Sequence, residues 1–260
     1  MIKIFAANWI LTGKGEPLQN HAVVLKNGKV FDLGTVGQIE GKYSNRVHNL
    51  GNTIIFPAFV NAHTHLELTA LRNQIDNSQG FLQWMRSVSD TIRQTDPEVI
   101  RQGIQDGIKG LYETGTIGIG DVTHSGGSVK AVQNSHLYGR VFHEVQGFRN
   151  FKIPYLMQDL KKKLAAFDDT EKVTNHISPH SSFLVGRKLF KEIEQRESLI
   201  SLHLASIPEE VEFLKEGGGP IKQILLAHEM YDYMWETPGV SPVRYFFENY
   251  YYAQSNILVH

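Results

Sequence analysis

The stretch Ile54-Ile55-Phe56-Pro57-Ala58-Phe59-Val60-Asn61-Ala62-His63-Thr64-His65 decides how this chain is read. Its first part, Ile54–Val60, is an apolar run of the kind found in a strand buried on both faces. A short link, Asn61-Ala62, leads to two histidines separated by one residue. Alternate residues of an extended backbone point the same way, so His63 and His65 can grip one ion between them. In parallel strand–helix barrels the C-terminal end of a strand carries the active site. The placement of this His-x-His, more than the motif itself, favours metal ligation over a structural pair.

Reading outward toward the C-terminus, strand-like and helix-like segments alternate. Strands are expected over Thr116–Val122, Gly139–Val145, Lys172–Ser178, Leu199–Leu204 and Asn256–Val259. Helices are expected over Phe81–Arg93, from Pro97 onward, and near Leu156–Phe167, Gly186–Gln195 and Glu209–Lys215. Pro97 suits a first helical turn, and Ile100, Ile104, Ile108 and Leu111 repeat at helical spacing. Repeated strand–helix units predict an α/β fold, a (β/α)8 TIM-like barrel. About six of its strands are visible. A barrel short of two strands exposes sheet edges and half a core, so the chain is expected to be cut from a longer protein. A miscounted strand or a completing partner are the alternatives.

Reading toward the N-terminus, residues 1–53 are short apolar or alternating runs (Ile2–Phe5, Ala22–Leu25, Lys29–Leu33) punctuated by Gly13, Asn27-Gly28 and Gly34. Asn27-Gly28 between two such runs is a hairpin signal. The expected organisation is a small β-sandwich-like domain over 1–53 and a barrel over 54–260.

Bulk composition narrows the chemistry. Twenty-six Lys+Arg stand against 27 Asp+Glu in 260 residues, without the basic excess of a nucleic-acid binder. With no cysteine, a metal must be held by imidazole and carboxylate, which suits Zn or a similar divalent ion. The N-terminus lacks a signal-peptide core and no apolar stretch reaches membrane-span length, so a cytoplasmic location without membrane contact is expected. Gly217-Gly218-Gly219 lacks the Gly-Lys-Ser/Thr of a phosphate loop. A Gly-x-Ser-x-Gly nucleophile elbow does not occur.

Of the twelve histidines, several fall at strand ends beside His63 and His65. His203 ends the strand Leu199–Leu204 and His260 ends the sixth. His180 follows the fourth, and His143 and Glu144 lie near the end of the third. Singly each has a bland explanation, but on one barrel rim together they suggest a site. His21, His48, His124, His136, His176 and His228 read as structural or surface residues, His124 being the first exception to consider.

The segment Phe56–Leu68 resembles the opening barrel strand of the amidohydrolase superfamily, in its chlorohydrolase and aminohydrolase (deaminase) group. Ser178-Pro179-His180-Ser181, Ser201-Leu202-His203-Leu204-Ala205 and Ile257-Leu258-Val259-His260 resemble that group's fourth, fifth and sixth strand motifs. Within it, His63-Thr64-His65-Leu66-Glu67-Leu68, Pro208–Leu214 and Ser241–Tyr245 are most similar to the aminodeoxyfutalosine deaminases of menaquinone biosynthesis.

The resemblance implies His63, His65 and His203 as ligands of one divalent ion, Zn or else Fe. It implies His260 and His203 as catalytic, with His260 at the attacking water or the leaving group. His180, Glu67 and Glu144 are the implied contacts to a small-molecule substrate, although ordinary strand-end carboxylates would look the same. A homodimer would also be in keeping with it. Two departures stand against the pattern. The family places a metal-binding Asp at the end of its eighth strand, a position these 260 residues do not reach, and Ser206 occupies the place of a proton-shuttling glutamate. Glu209 and Glu210 are near, but belong more naturally to the first turn of the next helix, where its dipole favours them.

Overall fold

The computed structural model describes residues 1–196, 199–250 and 255–259. They divide into two compact units, Met1–Phe59 and Val60–His260.

In the first unit β1 (Ile2–Ile10) pairs antiparallel with β2 (Leu18–Lys26), which pairs with β3 (Lys29–Thr35). Asn27 and Gly28 both have positive φ, 53° and 78°, the backbone that a tight hairpin of right-twisted strands demands. Helix α1 (Val36–Lys42) opens on a capping box in which Thr35 and Gln38 exchange side-chain and backbone bonds. Its Ile39 packs with Ile4, Ala6, Ala22 and Val24. Strand β4 (Val47–Asn49) and the two-residue β5 (Ile54–Ile55) both pair parallel with β1.

The apolar run expected as one barrel strand is therefore divided. Ile54–Ile55 belongs to the first sheet, and Pro57, which has no N–H for a ladder, falls between it and the first barrel strand, β6 (Phe59–Thr64). The histidine pair is thus carried at the end of that strand without the expected link.

Among the described residues the second unit holds a nearly closed parallel barrel sheet of six strands in the order β11-β10-β9-β8-β7-β6. After β6 these are β7 (Thr116–Thr123), β8 (Tyr138–Val145), β9 (Val173–Pro179), β10 (Leu199–His203) and β11 (Ser255–Val259). Five lie within two residues of the expected positions. The helices are α2 (Phe81–Gln94), α3 (Pro97–Glu113), α4 (Gly127–Asn134), α5 (Ile153–Ala165), α6 (Arg187–Glu194), α7 (Pro208–Glu216), α8 (Gly219–Ala227) and α9 (Pro242–Tyr250). Helices α4, α8 and α9 lack the long apolar periodicity that marks α3, which is why the sequence did not announce them. Among the described residues, no helix is long and apolar enough to cross a membrane.

One close approach bears on the site. A 3-10 turn, Leu66–Leu71, follows directly on His65 and lies against α3. A Cβ on Gly103 of α3 would sit 2.5 Å from the Ala70 nitrogen and 2.7 Å from its Cα. Glycine there lets the helix press on the backbone that leaves the histidine pair.

Candidate metal centre

His63 and His65 leave the end of β6 on one side, with their Nε2 atoms 3.2 Å apart. Two ligands held at the usual zinc–nitrogen distance in a tetrahedral array lie about 3.3 Å from each other. His203, the last residue of β10, completes the group. One ring nitrogen from each of His63, His65 and His203 lies within 4.8 Å of the others, which makes them the one such group of potential metal ligands among the described residues.

The His203 ring is oriented by the backbone. Its Nδ1 lies 2.8 Å from the His180 carbonyl oxygen, and a carbonyl only accepts, so Nδ1 carries the proton. The Nε2 lone pair is then the donor offered to a metal. The His203 backbone N–H donates to the same oxygen at 3.0 Å, and the His180 N–H donates to Val145 O at 3.0 Å. Strands β8, β9 and β10 thus transmit their register directly to the ring.

Burial pushes His65 and His203 down to about 4. Both imidazoles are therefore neutral at physiological pH, the form that binds metal. Taken together, the spacing, the set tautomer and the neutral rings fit a divalent ion of the zinc type.

His180 follows β9 with its ring centroid 4.9 Å from that of His203. Burial lowers its pKa as well, and its Nδ1 is buried with no hydrogen-bond partner among the described residues. Glu144 comes from β8, its side chain 9% exposed. It accepts from Gln146 Nε2 at 2.7 Å and lies 3.8 Å from His124 Nδ1. Burial raises its pKa, but the imidazoles of His180 and His124, which carry charge once protonated at low pH, and the hydrogen bond from Gln146 more than reverse this. The carboxyl ends well below the usual carboxylate range. Its neighbour His143 points the other way, donating from Nε2 to Asn175 Oδ1 at 3.1 Å.

Glu67 is placed differently from expectation. It is buried, and its two oxygens accept from the Thr123 and Ser125 hydroxyls, each at 2.6 Å, and from the His124 and Gly127 N–H groups at 3.0 and 3.2 Å. Its hydrogen-bonding capacity goes into binding the turn between β7 and α4 rather than into facing a ligand. His260 lies outside the described residues. Ser206 follows His203 in the loop before α7, and Glu210 is in the first turn of that helix, as its position suggested.

Two further acids were not singled out for their structural place. Asp121 in β7 is wholly buried and accepts the Leu66 N–H at 2.8 Å, holding the turn after His65. Its signal was a lone acid inside an apolar strand. Glu210 is also wholly buried, which its exposed-looking motif Pro208-Glu209-Glu210 conceals.

The profile of the amidohydrolase family matches residues 54–234. An aminodeoxyfutalosine deaminase of Deinococcus radiodurans is 25% identical over an alignment of 279 positions, covering 99% of this chain and 63% of that protein. The crystal structure of Helicobacter pylori aminofutalosine deaminase superposes with a TM-score of 0.74 at 22% identity, over 91% of this chain and 58% of that one. The atrazine chlorohydrolase of Arthrobacter aurescens, complexed with zinc, gives 0.73 at 14% identity over 99% and 60%. The chain spans about three-fifths of the length of these relatives.

Proposed function

Because this chain belongs to the amidohydrolase family, we propose that it forms the larger part of a metal-dependent hydrolase that deaminates an aminopurine nucleoside-type substrate. The observation that carries the reading is the convergence of His63, His65 and His203 at the ends of two barrel strands. The kinship with an aminodeoxyfutalosine deaminase supports a substrate resembling 6-amino-6-deoxyfutalosine, and with it a place in menaquinone biosynthesis. A monomer or homodimer acting in the cytoplasm on this small molecule, without nucleic acid or membrane, completes the proposal.

His63, His65 and His203 would hold the ion. A bound zinc supplies Lewis acidity and a water of lowered pKa, available as a nucleophile near neutrality. Water adds to the ring carbon that bears the exocyclic amine, the amine takes up a proton, and ammonia leaves. His180, neutral and buried, offers a hydrogen bond to the substrate. Glu144 offers a charged acceptor to hydroxyl or amine donors. His260 is assigned to the water or the leaving group.

Ser206 favours a second reading. A serine hydroxyl lies too far from a useful pKa to shuttle protons at neutral pH, so cleavage of another cyclic C–N bond, or of C–Cl, is the alternative chemistry. A catalytically inactive barrel is the third outcome. Elemental mass spectrometry of the purified protein, followed by a panel of aminopurine nucleosides, cyclic amides and chlorinated triazines, separates them. Ammonia release from the nucleosides supports deamination. Turnover confined to the other compounds overturns it in favour of the second reading, and metal binding with no turnover favours the third.

A further inference from the structure

Glu210 is an acid with no exposed surface in the first turn of α7. Its Oε2 accepts the Ser206 backbone N–H at 2.8 Å, and its Oε1 accepts the Ser182 hydroxyl. Ser182 lies two residues after His180, and Ser206 three residues after His203. The carboxyl therefore ties together the two loops that leave β9 and β10.

The tie has a visible local cost. Ala205 adopts φ +58°, a left-handed conformation that costs a side-chain-bearing residue on the order of 1 kcal/mol. The residue that follows this turn, Ser206, gives its N–H to the Glu210 carboxyl. A strained turn persists where its surroundings over-determine it, and Glu210 is the group that does so here.

From this geometry we infer that Glu210 is a positioning residue: by clamping the loop after β10 to the loop after β9, it holds the His203 ring against the His180 carbonyl and so sets the donor atom of the metal centre. The inference rests on the metal-centre reading for its consequence, but the ring orientation is observable without metal. Glu210 itself touches no proposed ligand atom. Gln at this position keeps an acceptor for Ser206 N–H and presents an amide N–H to Ser182 Oγ, whereas Ala leaves both loops untied.

The test uses metal-free full-length chain with nitrogen-15-labelled histidines. In wild type and Glu210→Gln, NMR is expected to show His203 as a single tautomer with a slowly exchanging Nδ1–H. In Glu210→Ala that signal is expected to vanish or average between tautomers, while the His143 Nε2–H bonded to Asn175 persists as an internal control. Competition with a zinc chelator should then show about 10-fold or greater loss of affinity in Glu210→Ala, the usual range for groups that orient a ligand, and a near wild-type value in Glu210→Gln. A His203 signal that persists in folded Glu210→Ala overturns the inference, and so does simultaneous loss of the His143 signal, which would mark general loosening. If Glu210→Ala does not fold, Ser182→Ala decides by the same two signals. Wild-type protein that binds no zinc yet loses the His203 signal in Glu210→Ala refutes the metal-centre reading and leaves the clamp standing.

Discussion

The His203 imidazole donates from Nδ1 to the main-chain oxygen of His180 at 2.8 Å, so one histidine's backbone sets the tautomer of the next histidine's ring. The oxygen that does this also accepts the His203 N–H. The orientation of a candidate ligand is thereby built into the pairing of neighbouring strands, where side-chain rotamer freedom has little room to disturb it.

The first prediction concerns occupancy. His63→Ala or His203→Ala should reduce zinc from about one ion per chain to a small fraction, because two imidazoles and water do not make the three-ligand set of a catalytic zinc site. Elemental analysis after dialysis against dilute zinc measures it. Undiminished stoichiometry in both variants would remove these residues from the centre.

Glu144 and His124 offer a test in solution. The carboxylate raises the pKa of His124, chiefly through their direct interaction. Glu144→Gln should bring the His124 titration down toward the ordinary histidine value of about 6.5, as followed by imidazole proton shifts. The sign for stability follows. Glu144 is depressed in the folded protein, so its contribution is present above the unfolded carboxyl value of about 4.3 and is lost as the pH falls below that. The His124 contribution is full below about 6.5 and is lost as the pH rises through its higher folded value. An unmoved His124 in Glu144→Gln would show that the two do not interact.

Asp121 has the opposite sign. Burial raises its pKa to about 7, so the folded chain holds a proton that the unfolded chain has released above pH 4. Stability attributable to this group is full below its unfolded value and declines as the pH rises from about 4 to about 7, by on the order of 2–4 kcal/mol at most. Asp121→Asn keeps an oxygen for the Leu66 N–H and removes the titration. In metal-free protein, the difference in urea-unfolding free energy between variant and wild type should grow in the variant's favour across that window. A difference independent of pH would mean that Asp121 does not titrate there.

Helix α3 supplies a matched pair of glycines. Nothing lies within 4 Å of a Cβ added at Gly110, whereas at Gly103 it meets the Ala70 backbone. Gly110→Ala should stabilise the protein by about 0.5–1 kcal/mol through helix propensity and the unfolded chain. Gly103→Ala gains the same propensity but is expected to be destabilised by about 1–3 kcal/mol from overpacking, and to weaken zinc binding because the displaced turn begins at His65. Equal thermal shifts in the two variants would contradict the packing at Ala70.

Read alone, the sequence determined the alternation of strands and helices, the hairpin at Asn27-Gly28 and the strand-end placement of His63, His65, His180 and His203. These depend on local periodicity and on the geometry of the single strand, which neighbouring residues encode. Which strand a short apolar run joins is a matter of pairing partners. Ile54–Ile55 went to β1 and Phe59–Thr64 to the barrel, a division that apolarity over 54–60 could not express. The carboxylates show the same limit more sharply. Glu67, Glu144 and Glu210 are all strand-end or helix-start acids in the sequence. Tertiary structure alone made Glu67 the anchor of a turn, left Glu144 beside the histidines and enclosed Glu210 between two loops. A carboxyl's role follows from which donors surround it and how much water remains, and both are set by residues distant in the chain: Thr123 and Ser125 for Glu67, His124 and His180 for Glu144, Ser182 for Glu210.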